Sequence, residues 1–420
     1  MKAEIITIGD EILIGQTIDT NSAWLGEQLH LIGVQLNRIV TISDTPEAIS
    51  DAIEDSFNRA DLILMTGGLG PTQDDVTKET LAEYFGTTLE RNQEILHAID
   101  SYFAAKGLQM LESNRKQADL PKDAKILRNT RGTAMGMWFE KNGKVLISMP
   151  GVPYEMKGIM RDHGLAMLQD YFPTKTILHR TIQTQGIGES FLADKISDWE
   201  TALRNDGVFL AYLPSPGLVK LRLTAYAENG NKKAITDKLA HYISELERRI
   251  PEYIFGTEKD TVAKAIQNLF QSRGFTLAVA ESCTGGLIAH EITAIPGSSA
   301  HFLGSMVTYS NESKIAVLGV RKETLENHGA VSEEVVREMA EGVRQKLGSD
   351  FAISTSGVAG PGGGSEEKPV GTIWVSIAGP GKTLSKRLKL GKSRERNIRI
   401  SMLNVLNWLR QEIISGSFDK

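Results

Sequence analysis

Short apolar runs alternate with amphipathic stretches along most of the chain, the pattern of buried strands taking turns with half-buried helices. EIITIG (4–9) predicts a strand, and NSAWLGEQLHLIG (21–33) a helix with Asn21 as its N-cap and Gly33 as its stop. DLILMT (61–66) predicts a second strand that runs into the glycine-rich GGLGPTQDDVTKE. MGMWFE and KVLISM flank Lys-Asn-Gly, a hairpin signal with Asn-Gly at the turn, and the second of them leads into PGVPYEM, whose prolines punctuate a loop before a helix. This block ends near YFPT (171–174).

The next segment has a different texture. TILHRTIQTQG, an amphipathic GESFLADKISDWE, VFLAYLP, GLVKLRLTAYA and a charged helix through KLAHYISELERRI make a small α+β unit in which GIGE reads as a tight helix entry. From about Pro251 the alternation resumes with a helix over 258–273, the strand TLAVA, the turn ESCTGG, a helix to Thr293 and the strand FLGSMVTY. A helix beginning SEEVVREMAEGV, the strand FAISTS, a glycine loop, the strands GTIWVSIA and LSKRLKL, and a helix to about Ile414 complete the chain. The expected fold class is α/β: two different three-layer α/β domains joined by a small α+β domain, with boundaries at 1–172, 173–252 and 253–420.

Composition narrows the class. A chain of 420 residues suggests about two to four domains. The first residues reach acidic and glycine positions too soon for a signal segment, and no uncharged apolar run approaches the ~18 residues of a membrane span, so a cytoplasmic location is expected. One cysteine excludes an intramolecular disulfide and a cysteine-based zinc site, leaving oxygen or histidine ligands for any metal. A formal net charge of −5 with interspersed signs gives no overall electrostatic footprint for nucleic acid, although local basic patches remain open.

Chemistry concentrates at the turns that follow strands. A glycine-rich strand-to-helix junction offers free backbone N–H groups and a positive helix end to phosphate or an oxyanion. In GGLGPTQDD the glycines permit close backbone approach, Thr72 and Thr77 offer hydroxyls, and Asp74 with Asp75 either hold a hard divalent cation or stabilise the helix start. GVAGPGGG (357–364) reads as a phosphate cradle or as a connector. Within AESCTGG (280–286) three nucleophiles crowd one turn: Cys283 lacks an evident histidine partner, whereas Ser282 could use a lysine if desolvation or a nearby cation keeps it neutral. Tyr309 and Lys314 follow the next strand, and Arg394 opens the last helix.

EIITIGDEILIGQTIDTNSAWL, TGGLGPTQDDVTKE, AESCTGGLIA, TYSNESKIAVLGV, HGAVSEEVV and GVAGPGGG together resemble the CinA (competence/damage-inducible protein) family over essentially the whole chain. The resemblance implies a molybdopterin-binding-like N-terminal domain, a KH-like connecting domain and a C-terminal amidohydrolase domain. It implies two activities: a metal-independent nicotinamide-nucleotide amidase that converts nicotinamide mononucleotide to nicotinate mononucleotide and ammonia, and an ADP-ribose pyrophosphatase that needs a divalent cation such as Mg²⁺. It further implies a homodimer that acts on small nucleotides; the short apolar runs and mixed charge speak against a membrane or nucleic-acid partner. Alternatives that stay open are a molybdopterin-binding or transferase protein and a non-catalytic DNA-uptake scaffold.

Carried over by position, Ser282 matches the family's nucleophile, Lys314 its base, and Tyr309 and Arg394 its supporting residues. Backbone N–H groups near Thr284, Gly285 and Gly286 would stabilise the oxyanion, and Ser356, Gly357, Gly360, Gly362 and Gly363 would bind substrate. In the N-terminal domain the implied nucleotide-binding set is Gly9, Asp10, Glu11, Asn21, Gly67, Gly68, Gly70, Pro71, Thr72, Thr77, Gly151 and Pro153, with Asp74 and Asp75 at the metal. Two departures stand out: the family's Thr-Gly before the glycine loop is Ser356-Gly357 here, and its Gly-Asp-Arg is Lys392-Ser393-Arg394. The missing aspartate removes a possible orienter of Arg394.

Overall fold

The computed structural model describes residues 1–72, 75–172, 177–227 and 231–418. The chain divides into two compact units, Met1–Leu178 with Tyr226–Ile235, and His179–Ala225 with Thr236–Lys420. The expected boundary at residues 172 and 173 and the expected ligand Asp74 involve positions outside the described residues.

The first unit is built on a six-stranded sheet in the order Gln35–Ile42, Lys2–Ile8, Leu62–Thr66, Lys144–Met149, Gly136–Lys141, Lys125–Leu127. The first four strands are parallel and the last two join antiparallel. Alternate side chains feed two cores: Ile6, Ile63 and Met65 enter one, while Ile5, Leu62 and Leu64 enter the other. Burial on both faces explains why these strands read as continuous apolar runs. The hairpin forms as the sequence suggests, with Lys141 opposite Lys144 and left-handed Asn142 and Gly143 at the turn.

The helix expected over 21–33 differs at its start. It spans Thr20–Leu31, and its N-cap is Asp19, whose carboxylate accepts from the Ser22 N–H at 2.9 Å. Asn21 lies inside the helix with its amide donating to Thr66 Oγ1 at 3.1 Å and to the Gly151 carbonyl at 2.7 Å. An upstream carboxylate had already satisfied the helix start, which freed Asn21 to tie two strand ends together.

The second unit holds two sheets. Val208–Ser215, Leu218–Tyr226, Ile177–Gln185 and Ile254–Thr257 form a four-stranded sheet in that order. The other sheet runs Phe302–Val307, Leu277–Glu281, Phe351–Gly357, Thr372–Gly379, Lys382–Lys389. Its first three strands are parallel to one another; two antiparallel pairings then make Lys382–Lys389 parallel to them again. Leu277 and Val279 pack toward the helices Val262–Arg273 and Arg394–Ile414, while Ala278 and Ala280 face the helix Glu333–Leu347. The topology brings the carboxyl ends of four strands to one edge of the sheet, the edge where open α/β sheets bind ligands.

Candidate active sites

At that edge the turn after Leu277–Glu281 carries Ser282, and the segment after Phe302–Val307 carries Tyr309 and Lys314. The Lys314 ammonium nitrogen lies 3.0 Å from Ser282 Oγ, 2.8 Å from the Thr308 carbonyl oxygen and 3.3 Å from that of Tyr309. Lys314 is only 1% exposed, and burial pushes its pKa below the ordinary lysine value. A neutral amine has two hydrogens and one lone pair. With the two carbonyls taking the hydrogens, the lone pair is left facing the serine hydroxyl.

Arg394 begins the helix Arg394–Ile414, where its guanidinium donates to Tyr309 OH at 2.9 Å and to the Gly360 carbonyl at 3.0 Å. Tyrosine and glycine loop thus orient the arginine in the absence of an aspartate beside it. Three residues further on, fully buried Asn397 donates to the Ala359 and Gly391 carbonyls at 2.9 and 2.8 Å and pins the glycine loop to the same helix. Gly357 packs against Ile373, whereas Gly362 has open space where a side chain would point. The structure therefore brings Ser282, Lys314, Tyr309, Arg394 and the glycine loop into one hydrogen-bonded chain.

Three expectations need correction here. Ser356 is buried and donates to the Ala330 carbonyl at 2.6 Å, away from the serine; neighbouring Thr355 instead meets Thr284 hydroxyl to hydroxyl at 2.7 Å and accepts the Ser282 N–H on its carbonyl at 3.1 Å. The expected oxyanion donors also shift. The Gly285 N–H closes a turn onto the Ser282 carbonyl at 3.1 Å, and the Gly286 N–H is taken by Glu281 at 3.0 Å. Among the described residues the Thr284 N–H makes no hydrogen bond and remains available to an oxyanion, while the Cys283 N–H lies against its own thiol.

Glu281 escapes notice in the sequence because it opens the turn ESCTGG beside three nucleophiles; in the structure it closes the strand Leu277–Glu281. Its carboxylate, fully buried, accepts from the N–H groups of Gly286, Ile288 and Ala289 at 3.0, 3.1 and 2.9 Å. It clamps the turn that follows the serine. Cys283 is buried beside it, and desolvation pushes its thiol up to about 12, so the thiolate is not available near neutral pH.

In the first unit a cleft of about 370 Å³ lies at the carboxyl ends of Lys2–Ile8, Leu62–Thr66 and Lys144–Met149. Gly9, Glu11, Gly67, Gly68, Gly70, Pro71 and Gly151 line it, and a smaller adjoining cavity of about 80 Å³ includes Thr72, Lys78 and Lys116. Gly67 and Gly68 have φ of 119° and 64°, a left-handed backbone suited to glycine. Asp10, Asn21, Thr77 and Pro153 do not line either cavity. Thr77 is fully buried beneath Gly68, which removes its expected role as a ligand hydroxyl.

Asp75 also behaves differently from a free metal ligand. Its carboxylate accepts from the Gly70 N–H at 2.7 Å, from the Thr72 N–H at 3.0 Å and from the Thr72 hydroxyl, folding the glycine loop onto itself. Those bonds occupy most of its about four acceptor sites. Among the described residues no three His, Cys, Asp or Glu side chains converge into a cation cage. Glu11 and Asp44 do line the cleft, carboxylate oxygens that suit a hydrated hard cation shared with substrate phosphates better than a protein-only site. Glu155, absent from the sequence-based set, is half-buried; desolvation raises its pKa while the Asn129 amide donates to it at 2.6 Å.

A glycine-lined strand-end cleft on one α/β sheet and a strand-end serine–lysine pair on a dissimilar one mark a fused α/β protein with two candidate sites. The chain belongs to the CinA-like, competence-damage-inducible family. Residues 4–170 match the probable molybdopterin binding domain, residues 179–256 the damage-inducible protein CinA KH domain, and residues 259–413 the CinA C-terminal domain. A CinA-like protein from Cytophaga hutchinsonii is 44% identical, covering 98% of both chains. A competence-damage inducible relative from Caldanaerobacter subterraneus is 39% identical over the full length of both. The crystal structure of a competence/damage inducible protein from Agrobacterium tumefaciens is 39% identical, with a TM-score of 0.35, covering 36% of this chain and 92% of that one. Among the described residues no helix is long and apolar enough to cross a membrane.

Proposed function

We propose that the second unit is a serine–lysine amidohydrolase acting on the carboxamide of nicotinamide mononucleotide. The 3.0 Å contact between the buried Lys314 amine and Ser282 Oγ carries this reading. Lys314, neutral through burial, takes the serine proton as Oγ attacks the amide carbon. The Thr284 N–H, with that of Cys283 beside it once turned from its own thiol, stabilises the tetrahedral oxyanion. Protonated Lys314 returns the proton to the leaving nitrogen, ammonia departs, and water then hydrolyses the ester at Ser282 to give nicotinate mononucleotide. Arg394, held by Tyr309 and Gly360, binds the substrate phosphate beside the glycine loop.

For the first unit we propose hydrolysis of a nucleoside diphosphate link, with ADP-ribose as substrate. Support comes from the glycine-lined cleft at three parallel strand ends and from Glu155, whose burial-raised pKa suits an acid–base role. A divalent cation shared with the substrate, near Glu11 and Asp44, would supply charge neutralisation on the phosphates. Glu155 would hold or release a proton beside the cleft, and the left-handed Gly67–Gly68 turn would let the phosphates approach the backbone.

The test is direct. The full chain should release ammonia from nicotinamide mononucleotide with or without chelator, and AMP from ADP-ribose only without it. Absence of ammonia at any pH overturns the amidase reading, and chelator-insensitive AMP release overturns the metal assignment.

A further inference from the structure

Between residues 386 and 399 the chain carries Lys386, Arg387, Lys389, Lys392, Arg394, Arg396 and Arg399 against the single acid Glu395, a net +6 within a protein whose total is −5. All seven cations are exposed. Apart from Arg394, which bonds Tyr309 and Gly360, none of them makes an ion pair or side-chain hydrogen bond among the described residues, although most other arginines do. The run follows from the topology to one place. Lys382–Lys389 is parallel to the strand Leu277–Glu281 that precedes Ser282, so its carboxyl end, Lys389, comes out at the edge of the sheet that bears the site. The Leu390 N–H then bonds the Gly371 carbonyl at 2.8 Å, and the chain reaches Lys392 alongside Gly360 of the glycine loop.

An edge strand is often blunted by lysine to prevent pairing with another chain, and that would account for Lys386 and Arg387. It does not account for Lys392 and Arg396, which flank the start of a helix where the macrodipole is already positive and cations are unfavourable. Unneutralised positive charge concentrated beside a cleft raises the local concentration of an anion and its rate of arrival.

We infer that Lys389, Lys392 and Arg396 form an electrostatic funnel that draws a phosphorylated amide toward Arg394 and Ser282 and sets the preference for a nucleotide over its dephosphorylated nucleoside. This rests on the amidase reading. It adds residues that touch neither the reacting carbon nor the serine, and it makes the preference a matter of capture and not of chemistry.

The experiment uses the full chain and the triple variant Lys389→Gln, Lys392→Gln, Arg396→Gln, with nicotinamide mononucleotide and nicotinamide riboside compared from about 20 to about 300 mM salt. For the mononucleotide the variant should lose about tenfold in kcat/KM at low salt with kcat within about twofold, and the wild-type decline with salt should flatten. The riboside carries only the positive pyridinium, so its kcat/KM should hold or rise; a general folding defect would lower both. Equal mononucleotide kcat/KM in the two proteins, or a wild-type value independent of salt, overturns the funnel. Calorimetric binding of nicotinamide mononucleotide to Ser282→Ala chains with and without the triple change separates the two claims. Salt-sensitive binding without ammonia release by the wild type sinks the amidase reading and keeps the funnel; ammonia release with salt-insensitive binding does the reverse.

Discussion

Asp75 and Lys314 sit beside the two strand-end turns and are committed in opposite directions. The Asp75 carboxylate spends its acceptor sites on Gly70 and Thr72 of its own loop, so it shapes the cleft from within. Lys314 reaches from a different segment to Ser282, thirty-two residues away in sequence, and its surroundings favour the uncharged form that chemistry requires. One turn is a preformed backbone cradle and the other a preformed side-chain pair. A glycine-lined cleft that lets a ligand approach the backbone suits a substrate that brings its own charge and cation; a buried dyad suits a neutral amide that must be attacked.

The comparison breaks most visibly at Lys314. Lys314→Arg should lower amidase kcat by about three orders of magnitude or more, because a guanidinium stays protonated and cannot accept the serine proton. In the native chain kcat/KM should rise with pH through a midpoint below the ordinary lysine value, since burial disfavours the charged amine and the neutral base gains population as pH climbs. The same displacement has a stability consequence. Between the folded and unfolded pKa values the unfolded chain binds more protons, so Lys314 should make stability increase with pH across that window and cost most below it. A pH–rate profile together with thermal melts of the wild type and Lys314→Met would check both signs.

Glu281 comes next in expected effect. Replacing it by glutamine places an amide donor against one of three N–H groups, which should cost about 1 to 3 kcal/mol of stability. Because the turn it clamps carries the Cys283 and Thr284 N–H groups, kcat should fall by about tenfold with KM little changed. A shift confined to KM would mean that the clamp serves substrate binding alone.

Asp75→Asn sharpens the other half. It keeps an acceptor for the Gly70 N–H while losing charge, so ADP-ribose hydrolysis should drop by about tenfold and the amidase should be untouched. Steady-state assays of both substrates on one preparation measure the contrast. An amidase that falls in step would remove the independence of the two sites.

The sequence made much of this legible, and its failures have physical causes. Strand-end placement of Ser282, Tyr309, Lys314 and the glycine loops followed from apolar runs broken by glycine, and the fold keeps all of them at carboxyl ends. Ser356 enters the expected site by matching the family's Thr-Gly, and nothing in the sequence points to Thr355 instead, because Phe351–Gly357 is buried on both faces and no polar alternation marks which face a hydroxyl takes. Thr77 was hidden for a related reason: a hydroxyl beside a glycine loop can point under it as easily as out of it. Glu281 and Asp75 exemplify a third blind spot. A carboxylate that folds back onto nearby backbone N–H groups is indistinguishable, as a letter, from one aimed at a ligand.

The smallest expected effect concerns that missed threonine. Thr355→Val leaves the Thr284 hydroxyl without its 2.7 Å partner and should cost about 0.5 to 1.5 kcal/mol, read as a lower melting temperature, with only a few-fold loss of amidase rate.

The most direct test of the central claim is ammonia release from nicotinamide mononucleotide by Ser282→Ala and Cys283→Ala side by side. The buried dyad predicts a loss of about 10⁴ or more in kcat for the serine variant and near wild-type turnover for the cysteine variant, whose thiol burial pushes up to about 12. Retained activity in Ser282→Ala, or its loss in a well-folded Cys283→Ala, would contradict the assignment of Ser282 as nucleophile.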